Sequence, residues 1–235
     1  MAAFAPSNLL MGNPKALKAL FDSDGQSIQR GFQQLQQDFD AGHGRIALTQ
    51  SDPDAFELGK TLAVTPGEIV FKNPLIELIR YFPTTDKVRQ SPVLIFPPWI
   101  NKYYVLDLTP KNSLVAWLRD QGFTVYMVSW RSAGDETKAY DWDDYYTLGG
   151  RAALDFVAGK HNAPVNAAGY CVGGALLSIM AARLAEEDDK RLASISLLAA
   201  QTDFSEPGDL GLFIDETSIA GIEQMIGEAG GVMPG

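Results

Sequence analysis

The residue in this chain best placed to do chemistry is a thiol. Cys171 is the only cysteine among the 235 residues. It lies at the centre of Gly169-Tyr-Cys-Val-Gly173, a Gly-x-Cys-x-Gly pattern. An apolar run, Pro164 to Gly169, precedes it, and an Ala/Leu-rich run, Ala175 to Glu187, follows it. That order of strand, tight turn and helix is the nucleophile elbow, here with cysteine in the place of serine. The two glycines lack a Cβ, so strand and helix can approach closely around the bend. Val172 is the first residue past the nucleophile, and its N–H emerges from an uncapped helix start, where a developing oxyanion can be held. The helix dipole at that end favours a thiolate. A pentapeptide of this kind also arises around buried structural cysteines. The flanking strand and helix are what favour the elbow.

Composition narrows the function. A net charge of −10 and a pI near 4.6 argue against non-specific nucleic-acid binding, which needs a basic face. A polyanionic substrate such as a CoA thioester stays compatible if a local basic patch exists. A single cysteine excludes an internal disulfide framework and fits a reducing cytoplasm. The two histidines, His43 and His161, stand in unrelated contexts without zinc-type spacing, so no metal is expected. There is no apolar run long enough to span a bilayer, and Met1 to Asn8 does not read as a secretory signal.

The elements that must position Cys171 are legible in outline. Pro14 to Ser23 and Ser27 to Phe39 are predicted helices. In the second, Ile28, Phe32, Leu35 and Phe39 recur at helical spacing, a stripe expected to pack onto the rest of the protein. His43 falls in a loop, and Ser51 to Asp54 is expected to begin a short helix. Residues 67–73 and 75–82 read as two strands around Asn73-Pro74. From there strands alternate with helices. The strands are Val93 to Phe96, Phe123 to Ser129, Pro164 to Gly169 and Ser194 to Leu198. The helices are Ser113 to Gln121, Asp141 to Ala158, Ala175 to Glu187 and Glu216 to Glu228. Four buried strands with intervening helices, the elbow on the third, predict a parallel α/β sheet. Ligands bind such sheets at the C-terminal strand ends. Phe96 to Asn101, Gly169 to Gly174 and Thr202 to Ser205 fall there.

With these residues in hand, the chain resembles the polyhydroxyalkanoate synthases of class I, the poly-3-hydroxybutyrate type. The resemblance is carried by residues 49–59, 65–73 and 128–131, by Pro97-Pro-Trp-Ile-Asn-Lys-Tyr-Tyr104, by Gly169-Tyr-Cys-Val-Gly-Gly174 and by Asp203-Phe-Ser205. It implies an α/β-hydrolase-like parallel sheet, incomplete at the C-terminus, with a helical N-terminal region at 1–62 and the first part of the catalytic domain at 63–235. It implies an acyltransferase that polymerises 3-hydroxyacyl-CoA with release of CoA, as a homodimer at cytoplasmic polymer granules, without a cofactor. Cys171 would carry the acyl chain. Val172 N–H and an N–H of the loop near Ile100 would form the oxyanion hole.

One departure stands out. The family's catalytic acid and base come after the elbow, and no histidine follows Cys171. His161 precedes the elbow strand and is expected at the opposite end of the sheet. Asp203 reads as a loop-capping residue, since the family places its acid later. The chain therefore reads as the front of a synthase, leaving an exposed sheet edge. Two other readings stay open: a non-catalytic short form that binds granules or a full-length synthase, and a thiol hydrolase of the same fold. Trp99, Tyr103 and Tyr104 could line an acyl channel or simply pack.

Overall fold

The computed structural model describes residues 12–42, 48, 52 and 54–232. The chain divides into two compact units, Met1–Ala55 and Phe56–Gly235. In the first, helix α1 (Pro14–Asp22) starts at Asn13, whose side chain accepts from Lys15 N–H at 3.0 Å and Ala16 N–H at 3.2 Å. Those are two of the orphan donors at a helix start, and Pro14 in the first turn has no donor to satisfy. Helix α2 (Gln26–Ala41) follows a turn closed by Gly25, whose φ of +83° is easy only for glycine. The expected stripe does occupy one face of α2, but it is not buried: Phe32 is 69% exposed and Phe39 50%. Periodicity reports a shared face and not what covers it. His43, Ser51 and Pro53 lie outside the described residues. The helix expected at Ser51 to Asp54 gives way at Asp54 to a turn in which Asp52 accepts from Asp54 N–H at 2.9 Å. Asp serves an Asx turn as readily as a helix cap.

The second unit is built on a six-stranded sheet in the order β1-β2-β6-β3-β7-β8. Strands β1 (Glu68–Lys72) and β2 (Ile76–Tyr81) form a hairpin that joins the sheet antiparallel to β6 (Val125–Trp130). Asn73 shapes its turn, accepting from Leu75 and Ile76 N–H at 2.9 Å each and donating to the Leu148 carbonyl at 2.6 Å. Strand β3 (Val93–Phe96) lies parallel between β6 and β7 (Val165–Tyr170), and β7 pairs in parallel with β8 (Leu192–Leu198). A short hairpin, β4 (Asp107–Thr109) and β5 (Asn112–Ser113), stands apart. The α/β-hydrolase-like parallel sheet is thus present, with an antiparallel hairpin on one side.

Side-chain alternation divides the core between the two faces. Leu94, Phe96, Tyr126, Val128, Val165 and Ala167 face one way and pack with helices α5 (Ala152–His161) and α6 (Val172–Glu186). Ile95, Val125 and Met127 face the other way, toward Val115 and Leu118 of α3 (Leu114–Asp120). Each fully buried aliphatic side chain contributes roughly 1.5–3 kcal/mol. The central strands β3, β6 and β7 are therefore the rigid part of the fold, and they hold the elbow.

Two expectations need correction. The fourth strand is not buried: in β8, at the edge of the sheet, Ile195 is 42% and Leu197 39% exposed. The helix expected over Asp141 to Ala158 is broken into three pieces. It opens as α4 (Trp142–Asp144) on an Asp141/Asp144 capping box, continues as a π-helix (Tyr145–Arg151) and becomes α-helical again in α5. π-Helical turns are rare and occur frequently at functional sites. After β8 come a 3₁₀ turn (Gly208–Phe213) and helix α7 (Glu216–Glu228). Among the described residues no helix is long and apolar enough to cross a membrane, and no group of His, Cys, Asp and Glu is arranged to hold a metal.

Candidate active site

Cys171 is the single residue between the last residue of β7 and the first of α6. Its backbone stands at φ 55° and ψ −123°. A β-carbon-bearing residue held there costs on the order of 1–3 kcal/mol, which the packing around it must offset. The surroundings show how. Its N–H donates to the Leu198 carbonyl at 2.9 Å, and its carbonyl accepts from Gly174 N–H at 2.9 Å and Ala175 N–H at 3.2 Å. Those bonds fix the turn and leave the side chain exposed.

The glycines around it are required by contact. A Cβ on Gly169 would lie 2.5 Å from Gly174 Cα, and one on Gly173 would lie 2.2 Å from the Phe96 carbonyl oxygen. Both distances are shorter than real Cβ atoms tolerate, and the obstacles are backbone. The start of α6 therefore touches the backbone at the end of β3. The loop after β3, which the resemblance singles out, is consequently a neighbour of the thiol.

Two short stretches of backbone carry the N–H groups that the resemblance singles out. Val172 N–H has no acceptor among the described residues, as expected for the first turn of a helix. On the loop, Pro97 and Pro98 have no amide hydrogen, so the first donors after Phe96 are Trp99 and Ile100. Ile100 is 87% exposed.

The aromatic residues of the loop do not form one cluster. Trp99 stacks on Tyr145 with ring centroids 4.1 Å apart, on the α5/α6 side of the sheet. Tyr103 packs on the α3 side. A channel lined jointly by Trp99 and Tyr103 is therefore not formed. Sequence reasoning assigned no role to Tyr145 or Gly149 and met Trp130 only within residues 128–131, which carry the resemblance; the Gly149-Gly150 pair inside a helical pattern was a usable signal. A cleft of about 330 Å³ beside Trp130 is lined by Lys72, Glu77, Ser129 and Arg131. Its cations are ion-paired, Lys72 with Glu77 at 2.6 Å and Arg131 with Glu136.

Neither candidate partner for the thiol is in place. His161 ends α5 and precedes β7, whereas Cys171 follows it, so the six-residue strand puts them roughly 20 Å apart. His161 has another role. Tyr126 hydroxyl lies 2.8 Å from its Nε2. Burial first, then the Arg80 charge, lower the pKa of His161 below its usual 6.5. The unfolded chain therefore binds a proton more readily than the folded one, and stability falls as pH drops below about 6.5. We expect His161→Gln to remove that loss: the urea midpoint of the variant should change less between about pH 7 and pH 5.5. An unchanged slope would show that His161 does not carry it. Asp203 is exposed and caps its own loop, accepting from Ser205 N–H at 2.9 Å, and that bond holds its pKa below the usual carboxylate value.

The chain is similar to proteins of one family. A family model described as "Poly-beta-hydroxybutyrate polymerase (PhaC) N-terminus" matches residues 1–118. A poly(3-hydroxyalkanoate) polymerase of Methylorubrum extorquens is 42% identical over 98% of this chain. The poly(3-hydroxyalkanoate) polymerase subunit PhaC of Cupriavidus necator is 38% identical over 97%. The chain spans 38% of the length of each of these two relatives. Among solved structures, an α/β serine hydrolase without a lid from Xanthomonas campestris is 20% identical, with a TM-score of 0.42, over 56% of this chain and 60% of that one. On the family match and the identity to its relatives, the chain belongs to the poly-beta-hydroxybutyrate polymerase (PhaC) family.

Proposed function

We propose that this chain is the front part of a polyhydroxyalkanoate synthase in which Cys171 carries the growing polyester. The Cys171 thiolate attacks the thioester carbonyl of a 3-hydroxyacyl-CoA. An S–C bond forms and the carbonyl oxygen becomes an oxyanion, held by Val172 N–H and by a loop N–H at Ile100. Collapse breaks the bond to the CoA sulfur, and CoA leaves as a thiolate that takes up a proton. The new thioester differs little in energy from the old one, so the acyl group can be held and passed to the hydroxyl of the next unit. The observation that carries this reading is the strained, exposed Cys171 between β7 and α6, with an unpaired first-turn N–H beside it.

The acid and base are proposed to lie in sequence beyond these residues. The exposed β8 edge supports this, as do the exposed apolar side chains Leu210, Leu212, Phe213 and Ile219. The polyester granule in the cytoplasm and a homodimer of the longer protein complete the proposal, and residues 1–62 and 63–235 would be its helical and first catalytic regions.

The test is CoA release with 3-hydroxybutyryl-CoA, measured for the 235-residue chain and for the longest chain its own cell makes from this sequence. Release and polymer by the longer chain alone are expected. Polymer made by the 235-residue chain would refute the placement of the acid and base. No release by either would refute the synthase reading.

A further inference from the structure

The loop that would supply the second oxyanion donor is held by one indole. Trp130, the last residue of β6, donates from Nε1 to the Pro97 carbonyl at 3.0 Å. The same carbonyl oxygen would lie 2.6 Å from a Cβ on Gly173. One peptide oxygen is therefore shared between the Trp130 indole and the backbone next to the nucleophile. Trp130 is buried, 8% exposed.

The indole is itself held from two sides. A Cβ on Gly149 would lie 2.5 Å from its Cζ3, so the π-helix backbone presses against the ring. Trp99 meets it edge-on at 5.8 Å, and Tyr145, the first residue of that π-helix, stacks on Trp99 and lies 5.6 Å from Trp130. Trp99 is two residues past Pro97 and one before Ile100. The loop is thus fastened at Pro97 by a hydrogen bond and at Trp99 by a stack, immediately before the amides it can offer.

We infer that Trp130 is a positioning residue for acyl transfer: through the Pro97 carbonyl, with Tyr145 and Gly149 behind it, it sets the Trp99 and Ile100 amides against the elbow. Trp130 acts through the loop and touches no reacting atom. The inference rests on the reading of Cys171 as acyl carrier. Oxyanion donors are effective only when aimed to within a few tenths of an ångström, so a loosened loop loses rate without losing fold.

The test separates two reactions of one thiol in the longest chain its cell makes. Acylation by 3-hydroxybutyryl-CoA passes through an oxyanion, whereas alkylation by iodoacetamide, a displacement at carbon, does not. Trp130→Phe keeps a ring and removes the N–H. Gly149→Ala keeps the N–H and displaces the ring. We expect each variant to acylate about tenfold to a hundredfold more slowly and to alkylate within about twofold of the parent. Acylation at the parent rate, or an equal fall in both reactions, would overturn the inference. If the parent protein alkylates at Cys171 but does not acylate, the acyl-carrier reading has failed, and hydrogen exchange at the Trp99 and Ile100 amides decides the positioning claim. Exchange at least about tenfold faster in both variants, with α6 unchanged, supports it, and unchanged exchange refutes it.

Discussion

Replacing Cys171 with Ala in the longest form of the protein is expected to lower CoA release from 3-hydroxybutyryl-CoA by at least about a thousandfold. Removing a nucleophile from a hydrolase-type site costs that much or more, because the donors that remain have no covalent intermediate to stabilise. The structure makes the variant interpretable. Cys171 is exposed, and its backbone bonds to Leu198, Gly174 and Ala175 do not involve the side chain. Alanine at φ 55° meets the same backbone penalty as cysteine, so the fold should survive. Loss of release with an unchanged melting temperature is the expected pair of observations. Retained turnover would transfer the chemistry to another residue.

The second large effect concerns the fold at the elbow. Gly173→Ala is expected to destabilise the protein by roughly 3 kcal/mol, since the new methyl group would collide with the Phe96 and Pro97 carbonyl oxygens, which are backbone and cannot rotate away. Gly159→Ala in α5 is the control. A Cβ there meets nothing within 4 Å, and alanine in a helix gains about 0.5–1 kcal/mol over glycine. Urea midpoints should therefore move in opposite directions for two substitutions of the same chemical type. If Gly173→Ala proved neutral, the close approach of loop and helix would be disproved, and the oxyanion hole with it.

Much of this was legible in the sequence because each feature has a local cause. Gly169 and Gly173 announced a crowded bend, and the crowding is there. Val93 to Phe96, apolar at every position, read as a strand covered on both faces, and it lies between β6 and β7 with all four residues buried. The failures share a different cause. The π-helix at Tyr145 to Arg151 coincides with tertiary contacts, Gly149 against Trp130 and Gly150 against Met180, and the Gly149-Gly150 pair was its local sign. The strand at Leu192 to Leu198 carries core-like residues, yet whether its two faces are covered depends on residues distant in sequence, which the strand's own pattern does not name. The strand expected at Phe123 to Ser129 stopped one residue short of Trp130, which read as the start of a loop, and its bond to Pro97 joins residues 33 positions apart.

The central claim is that Cys171 bears the acyl chain, and peptide mass spectrometry after a short incubation with 3-hydroxybutyryl-CoA tests it most directly. The account predicts a hydroxyacyl adduct on the peptide containing Cys171, bound as a thioester and released by a free thiol. CoA released while that peptide stays unmodified, or an adduct that accumulates on another residue, would contradict it.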